Sequence, residues 1–599
     1  MAAAVSNGRE AREEADPAPA PGIEHEALLG VGGTGRPYRT LRDVAPFIIV
    51  AELAERLCYY GVSHNLVVYL HTQLHIKANE AAAQVSLWAG MCYLTALIGA
   101  WVADARWGRY RTIRAFMALY VVGMVVLVLS PALPGLTPSA DEPASALQVT
   151  MVWLALSLVA CGTGGIKPNV SAMGAEQFGS TTLETLDRKS FFNLFYFAIN
   201  LGSFFSSTLV VYVQESISWT IGFSIPAFAM LVSLVAFVAG SPRYSHTVVK
   251  ESPISRALSV LWAAAAGVVG RLFSRERRRT QTRAPDALAY ASSDFGGRFT
   301  TSQVSEVRQL CSLLPLWLSF IFYWTVYSEM DSLFVLQGEA MATEAGGGVR
   351  IPPASLSTVN TIAILTIIPI LDRGVYPWLA KRGLKPSVLK RVAIGMVVNV
   401  GAMLMAAAIE YQRLKLAREG KFAPGADPGS TTRPVALNVL WQSPQYFLVG
   451  LSEVFASVGQ LEFFYENGPV AFRSCSMALQ LLATALGSFL AGALLVIAPR
   501  SWVTPDLNAG RYDYFFLMLA GLMSLDVLLF GVLAVRFRGG GRGSGEEQST
   551  AAKSDGSDAE EAAEATVSVR IPATAVADAD AARSLSLRPS TPTLPRLPS

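Results

Sequence analysis

The sequence predicts an all-α membrane bundle of about twelve helices in two six-helix halves. Charged residues are scarce, apolar segments of bilayer length recur along the chain, and one polar stretch divides them into two sets. Only 16% of the 599 residues are charged and 52% are hydrophobic, whereas soluble domains carry about 25% charged residues. Each apolar segment is near the ~20 residues that cross a hydrocarbon core. The net charge of +3 is small, and no basic stripe interleaved with aromatics occurs. The expected partner is therefore the lipid bilayer and not a nucleic acid. All five cysteines lie in or beside apolar segments. Their odd number and placement argue against a disulfide framework.

Taken in order, residues 1–43 are polar and rich in Ala, Pro and Glu. They are expected to form a disordered cytosolic tail. The tail has no apolar leader region, so the first helix is expected to direct insertion. An N-terminal bundle at 44–240 holds spans at 45–71, 82–104, 110–131, 147–171, 189–213 and 218–240. A cytosolic linker follows at 241–307. Its apolar stretch at 254–269 suits a lateral helix better than a thirteenth span. The C-terminal bundle at 308–537 holds spans at 308–333, 355–378, 388–410, 437–460, 470–497 and 513–536. Residues 538–599, rich in Gly, Ser, Ala, Glu and Pro, are expected to be a second disordered tail. Arg106, Arg109, Arg111 and Arg114 cluster after the second span. Arg275 and Arg277 to Arg279 cluster in the linker, and Arg373 to Arg391 after the eighth span. Basic loops stay cytosolic, so both termini are expected there. The 411–436 loop carries several basic residues against that trend.

The sharpest signal is Glu52 to Gly61, ELAERLCYYG, inside the first span. Glu52, Glu55 and Arg56 lie at i, i+3 and i+4 and share one helical face. Charges at that depth are costly unless they meet a partner or a polar cavity, which marks them as a candidate functional site. A purely structural Glu52–Arg56 pair would leave Glu55 unexplained. Lys167 lies in CGTGGIKPN at 161–169. A lysine at depth needs counter-charges, which Glu52 and Glu55 are expected to supply. Protonating one carboxylate would leave this cluster net positive and ready for an anion. The glycines let helices approach, and Pro168 frees a backbone carbonyl that a cavity could use. A lysine capping the end of the fourth helix is the plainer alternative.

Glu453 interrupts an apolar run at mid-span, and Glu329 lies nearer a helix end, either at the site or at a solvated rim. Asn200 and Asn360 are uncharged polar residues at depth, each either a ligand or an interhelical hydrogen bond. A weak echo links the halves: Asp104 to Arg109 after the second span, Asp372 and Arg373 after the eighth. Repeated halves with a site between them are the usual plan of a secondary transporter. His71 and His75, at i and i+4, have no evident third ligand and read as a rim pair and not a metal site. No GxSxG, HExxH or phosphate-cradling glycine loop argues for an enzyme.

ExxER followed by YYG, GTGGIKP at 162–168 and FFNLFYFAINLGS at 191–203 resemble the proton-dependent oligopeptide transporter family. TSQVSEV at 301–307, FVLQG at 334–338, WQSPQYFLVG at 441–450 and QLEFFY at 460–465 are most similar to its plant nitrate and peptide transporter branch. WAGMCYLTALIGA at 88–100 and VYSEM at 326–330 look most like the di- and tripeptide subgroup. The resemblance runs from about Pro37 to Arg538. It implies a major-facilitator fold and proton symport by alternating access, with no cofactor because a proton gradient drives transport. By position it implies that Glu52, Glu55, Arg56 and Lys167 couple protons, and that Arg56, Tyr60, Lys167, Asn200, Tyr327, Asn360 and Glu453 bind substrate. Glu453 would take the substrate amino group, and Glu329 would be accessory. Thr112 falls where one plant member carries a regulatory phosphothreonine; a threonine near a helix start is the plainer reading.

Tyr327 stands where nitrate carriers of the branch have histidine. Glu329 is one step from the acid of members outside plants, and ENGPVAFRS at 466–474 departs from the customary pattern. Three functions follow as expectations: a proton-coupled di- and tripeptide symporter, a carrier of nitrate or another small organic anion, and a non-transporting sensor. The residence implied is a plasma or vacuolar membrane. Oligomeric state is not legible.

Overall fold

The structure, a computed structural model, describes residues 41–139, 142–178, 182–245, 252–273, 285–344, 350–384, 386–426, 433–469 and 472–552. The first helix, α1, runs Leu41–Ser63 and ends where the chain turns at His64 and Asn65. A short helix, Leu66–Thr72, follows, so the expected continuous span at 45–71 is broken. Carbonyls at a helix end need donors, and Gln214 Nε2 supplies one to Gly61 O at 2.7 Å. Asn65 Nδ2 in turn donates to Gln214 Oε1 at 3.0 Å.

Among the described residues, twelve further helices are long and apolar enough to cross a membrane. They are α2 Ala78–Trp107, α3 Arg109–Ala132, α4 Ala146–Ala175, α5 Thr185–Ser216, α6 Trp219–Ala239 and α7 Pro253–Gly270. The set continues with α8 Thr301–Glu339, α9 Pro353–Lys381, α10 Val388–Arg418, α11 Val439–Asn467, α12 Cys475–Ile497 and α13 Tyr512–Phe537. The number matches the sequence expectation, but the membership differs. The charges of α1 keep it out of the set, while α7 qualifies. Yet Ala257, Val260 and Ala264 of α7 pack on Val304 and Val307 at the start of α8 and on Phe472 and Cys475 at the start of α12. A helix running down through the bundle would pack along the length of its neighbours. The buried face of this one meets residues at or near the starts of α8 and α12.

Several boundaries move. The helix backbone begins at Leu41, inside the tail placed at 1–43; residues 1–40 lie outside the described residues. A capping box starts α8: Gln303 N donates to Thr300 Oγ1, and Thr300 N to Gln303 Oε1. That pattern stabilises a helix start, so α8 begins seven residues before the expected 308. The last helix continues to Ala552, so the tail placed at 538–599 begins inside a helix. Extending a formed helix costs far less than starting one. Residues 553–599 lie outside the described residues. Met1–Ala534 form one compact unit and Val535–Ser599 another. The only sheet among the described residues pairs two short parallel strands, β1 Met341–Ala342 and β2 Val435–Asn438.

The echo between halves extends to the backbone. Asp104 lies in a π-helical turn, Ala103–Trp107, and Asp372 in another, Leu371–Val375. In the first, Arg109 pairs with Asp104 at 3.5 Å and with Glu176 at 3.2 Å.

Candidate functional site

On α1, Arg56 lies between two carboxylates. Its Nε is 3.1 Å from Glu52 Oε1, and its Nη2 pairs with Glu55 Oε2. All three residues are buried. Close approach of α5 brings this cluster into the protein interior: a Cβ on Gly202 would sit 2.7 Å from Arg56 Cβ. The cluster is short of hydrogen bonds, because Glu52 Oε2 and Glu55 Oε1 are buried without a donor. Ion pairs left partly unsatisfied are expensive in low dielectric.

Lys167 enters from α4. Its Nζ lies 3.6 Å from the ring centre of Tyr93 and 4.7 Å from that of Tyr59, and has no hydrogen-bond partner. The expected counter-charges, Glu52 and Glu55, form no ion pair with it among the described residues. Aromatic faces hold the ammonium instead, and cation–π attraction strengthens where water is excluded. The glycines set this position: a Cβ on Gly164 would meet Thr95 at 2.6 Å, and one on Gly165 would meet Phe116 at 2.0 Å. In the turn that follows, Asn169 Nδ2 donates to Gly165 O at 2.9 Å. Lys167 does follow the last helical residue of Ala146–Ile166, so the capping position is right although the side chain is turned inward.

In the other half, Glu453 of α11 is held by neutral donors. Tyr327 Oη donates to Glu453 Oε2 at 3.0 Å, and Asn360 Nδ2 lies 3.5 Å from the same oxygen. Among the described residues no cation pairs with Glu453. Glu329 is fully buried in the 3₁₀ turn Ser328–Asp331 and accepts from Ser332 Oγ at 3.0 Å. Its solvated-rim alternative is excluded by that burial. Asn200 donates to Tyr196 O of its own helix at 2.8 Å. Thr112 is buried, and its Oγ1 donates to Gly108 O at 3.0 Å. His71 and His75 each lie 2.8 Å from a backbone carbonyl, of Ile76 and Glu142.

The two poles are joined by a run of contacts. Arg56 lies over Tyr60 at 6.0 Å, and Tyr60 stacks on His64 at 5.0 Å. His64 Nδ1 is 2.8 Å from Asp331 Oδ1, and Asp331 follows Tyr327 by one helical turn on α8. Ser207 and Thr358 hydroxyls, 2.8 Å apart, tie α5 to α9 as well. Sequence reasoning missed Tyr93, Tyr59, His64 and Asp331 as members of this assembly. Tyr59 and His64 flank the ExxER segment and were open to helical-face reasoning; Tyr93 and Asp331 were not.

An all-α bundle of membrane-crossing helices with charges buried inside it is a fold of the major-facilitator type. The POT family model matches residues 110–506, and the chain belongs to that family. It is 38% identical over 541 residues to Protein NRT1/PTR FAMILY 8.5 of Arabidopsis thaliana, covering 82% of this chain and 89% of the relative. It is 37% identical over 539 residues to Protein NRT1/PTR FAMILY 8.3 of the same plant, covering 82% and 91%. The fold is similar to the crystal structure of the POT family transporter PepTSo, with a TM-score of 0.64 at 22% identity, over 84% of this chain and 99% of that one.

Proposed function

We propose that this protein is a proton-coupled symporter of di- and tripeptides, working by alternating access. The observation that carries this reading is the opposite character of the two poles. Lys167 is a buried ammonium with aromatic neighbours and no hydrogen-bond partner. Glu453 is a carboxylate with neutral donors only. A short peptide with free termini offers a carboxylate to the first and an ammonium to the second, so neither buried charge is left unpaired. A small inorganic anion would serve one pole and leave Glu453 as it is. Tyr327 also lacks the imidazole that becomes cationic in mildly acid solution.

Proton coupling follows from the α1 cluster. With both carboxylates charged, Arg56 is held by Glu52 and Glu55. A proton on either one loosens that hold and leaves the cluster positive, suited to the carboxylate end of the substrate. Release of substrate and proton restores the pairing. In this scheme both termini are cytosolic, as the basic loops favour. The His64–Asp331 pair then closes the outer side of the site. The membrane of residence is a plasma or vacuolar membrane.

The test is uptake into proteoliposomes with an imposed inward proton gradient, offered dipeptides, nitrate and small organic anions. Dipeptide accumulation that collapses with the gradient is expected. Gradient-driven accumulation of nitrate with none of dipeptide would contradict the proposal.

A further inference from the structure

We propose that the exposed stripe of α7, with Arg298 at its edge, binds an anionic phospholipid of the surrounding bilayer. This helix, whose backbone continues to Phe273, is apolar on two faces. Ala257, Val260 and Ala264 are buried against the ends of α8 and α12. Leu258, Leu261, Trp262, Ala265, Val269 and Phe273 recur at helical spacing on the opposite face, and all are exposed. Trp262 is 75% exposed and Phe273 87%. At ~1.5 Å per residue the stripe is about 22 Å long. A stripe of that size is unfavourable in water and marks an interaction surface.

The occupant follows from place and charge. The start of α7 is tied to a membrane-crossing helix, since Trp101 Nε1 of α2 donates to Ser255 Oγ at 2.8 Å. On that same helix Leu94 and Ile98 are exposed apolar residues, as a lipid-facing surface requires. Packed on residues near the starts of α8 and α12, α7 lies near helix ends, where acyl chains give way to headgroups. Apolar helices lying there sink about 5–10 Å into that boundary. A groove of about 560 Å³ runs along the stripe, lined by Leu258, Leu261, Trp262, Ala265 and Arg298. Arg298 is exposed and enters no ion pair among the described residues. One cation beside an apolar groove suits one phosphate with its acyl chains. A protein segment would be expected to find more than a single polar anchor. Because Arg256 of the same helix lies over Phe472 at 4.8 Å, the lipid would sit on a strut that touches both halves.

The full-length protein is reconstituted in phosphatidylcholine vesicles with and without phosphatidylglycerol, the lipids carrying brominated acyl chains. Trp262 fluorescence is taken as the difference between wild type and Trp262→Phe. It is expected to be quenched by the brominated lipid and protected from aqueous iodide. Native mass spectrometry is expected to find phosphatidylglycerol retained on the wild type, and about fivefold less on Arg298→Gln, the loss expected for one basic residue at an anionic surface. Quenching by iodide but not by brominated lipid would overturn the proposal. So would equal retention of phosphatidylglycerol by Arg298→Gln, whose exposed position leaves the fold intact.

Discussion

Two buried ion clusters in this protein have similar chemistry and opposite states of satisfaction. On α10, Arg413 and Glu410 form a bidentate pair, with Nη2 to Oε1 at 2.6 Å and Nε to Oε2 at 2.9 Å. Gln337 donates to Glu410, and Arg413 donates to Asn508 and to Leu507 O. No atom of either side chain is left without a partner. On α1, Arg56 serves two carboxylates at once, and two of their four oxygens, Glu52 Oε2 and Glu55 Oε1, have no donor. A saturated network has one stable arrangement and resists change. An undersupplied one has nearby alternatives that a proton or a substrate can select. The difference separates a clamp from a switch, although both are charged groups inside a membrane protein.

The largest effect is expected at the switch. Glu52→Gln or Glu55→Gln should abolish gradient-driven accumulation, while counterflow, which needs no net proton movement, survives. Uptake at the wild-type rate in both variants would erase the distinction. At the clamp, Arg413→Gln should lower stability by about 3–5 kcal/mol, the usual cost of leaving one member of a buried pair alone. Thermal unfolding measures the loss, and the protein that remains folded should keep its proton coupling.

Much of this was legible in the sequence, and the failures have physical causes. The ExxER face was visible because its three charges lie within two helical turns. The clamp was not. The sequence ends the ninth span at 410, whereas α10 continues to Arg418. Arg413 donates to Asn508, 95 positions away. The rings that the Lys167 ammonium meets come from other helices and were not legible. Glycine-permitted packing of α2 on α4 decides that an aromatic ring meets the ammonium. Likewise, His64 and Asp331 are 267 positions apart, and periodicity within one segment cannot pair them.

Smaller effects sharpen the comparison within the second pole. Tyr327→Phe removes the hydrogen bond to Glu453, and hydrogen bonds to charged groups are worth ~1.5–3 kcal/mol. Dipeptide affinity should therefore shift about tenfold or more, measured as the inhibition constant in uptake. Smaller still is Asn200→Ala. Its amide already serves the Tyr196 carbonyl, so affinity should change by less than about threefold, the scale of a weak net hydrogen bond.

The central claim is that Glu453 receives a substrate ammonium. It is tested most directly by competition against labelled dipeptide uptake, using the unlabelled dipeptide, its N-acetyl form and nitrate, in wild type and Glu453→Gln. In the wild type the free dipeptide should compete strongly, the N-acetyl form weakly and nitrate not at all. Glu453→Gln should weaken the free dipeptide more than the blocked one, narrowing the gap between them. An unchanged gap in that variant, or nitrate competing where the free dipeptide does not, would contradict the account.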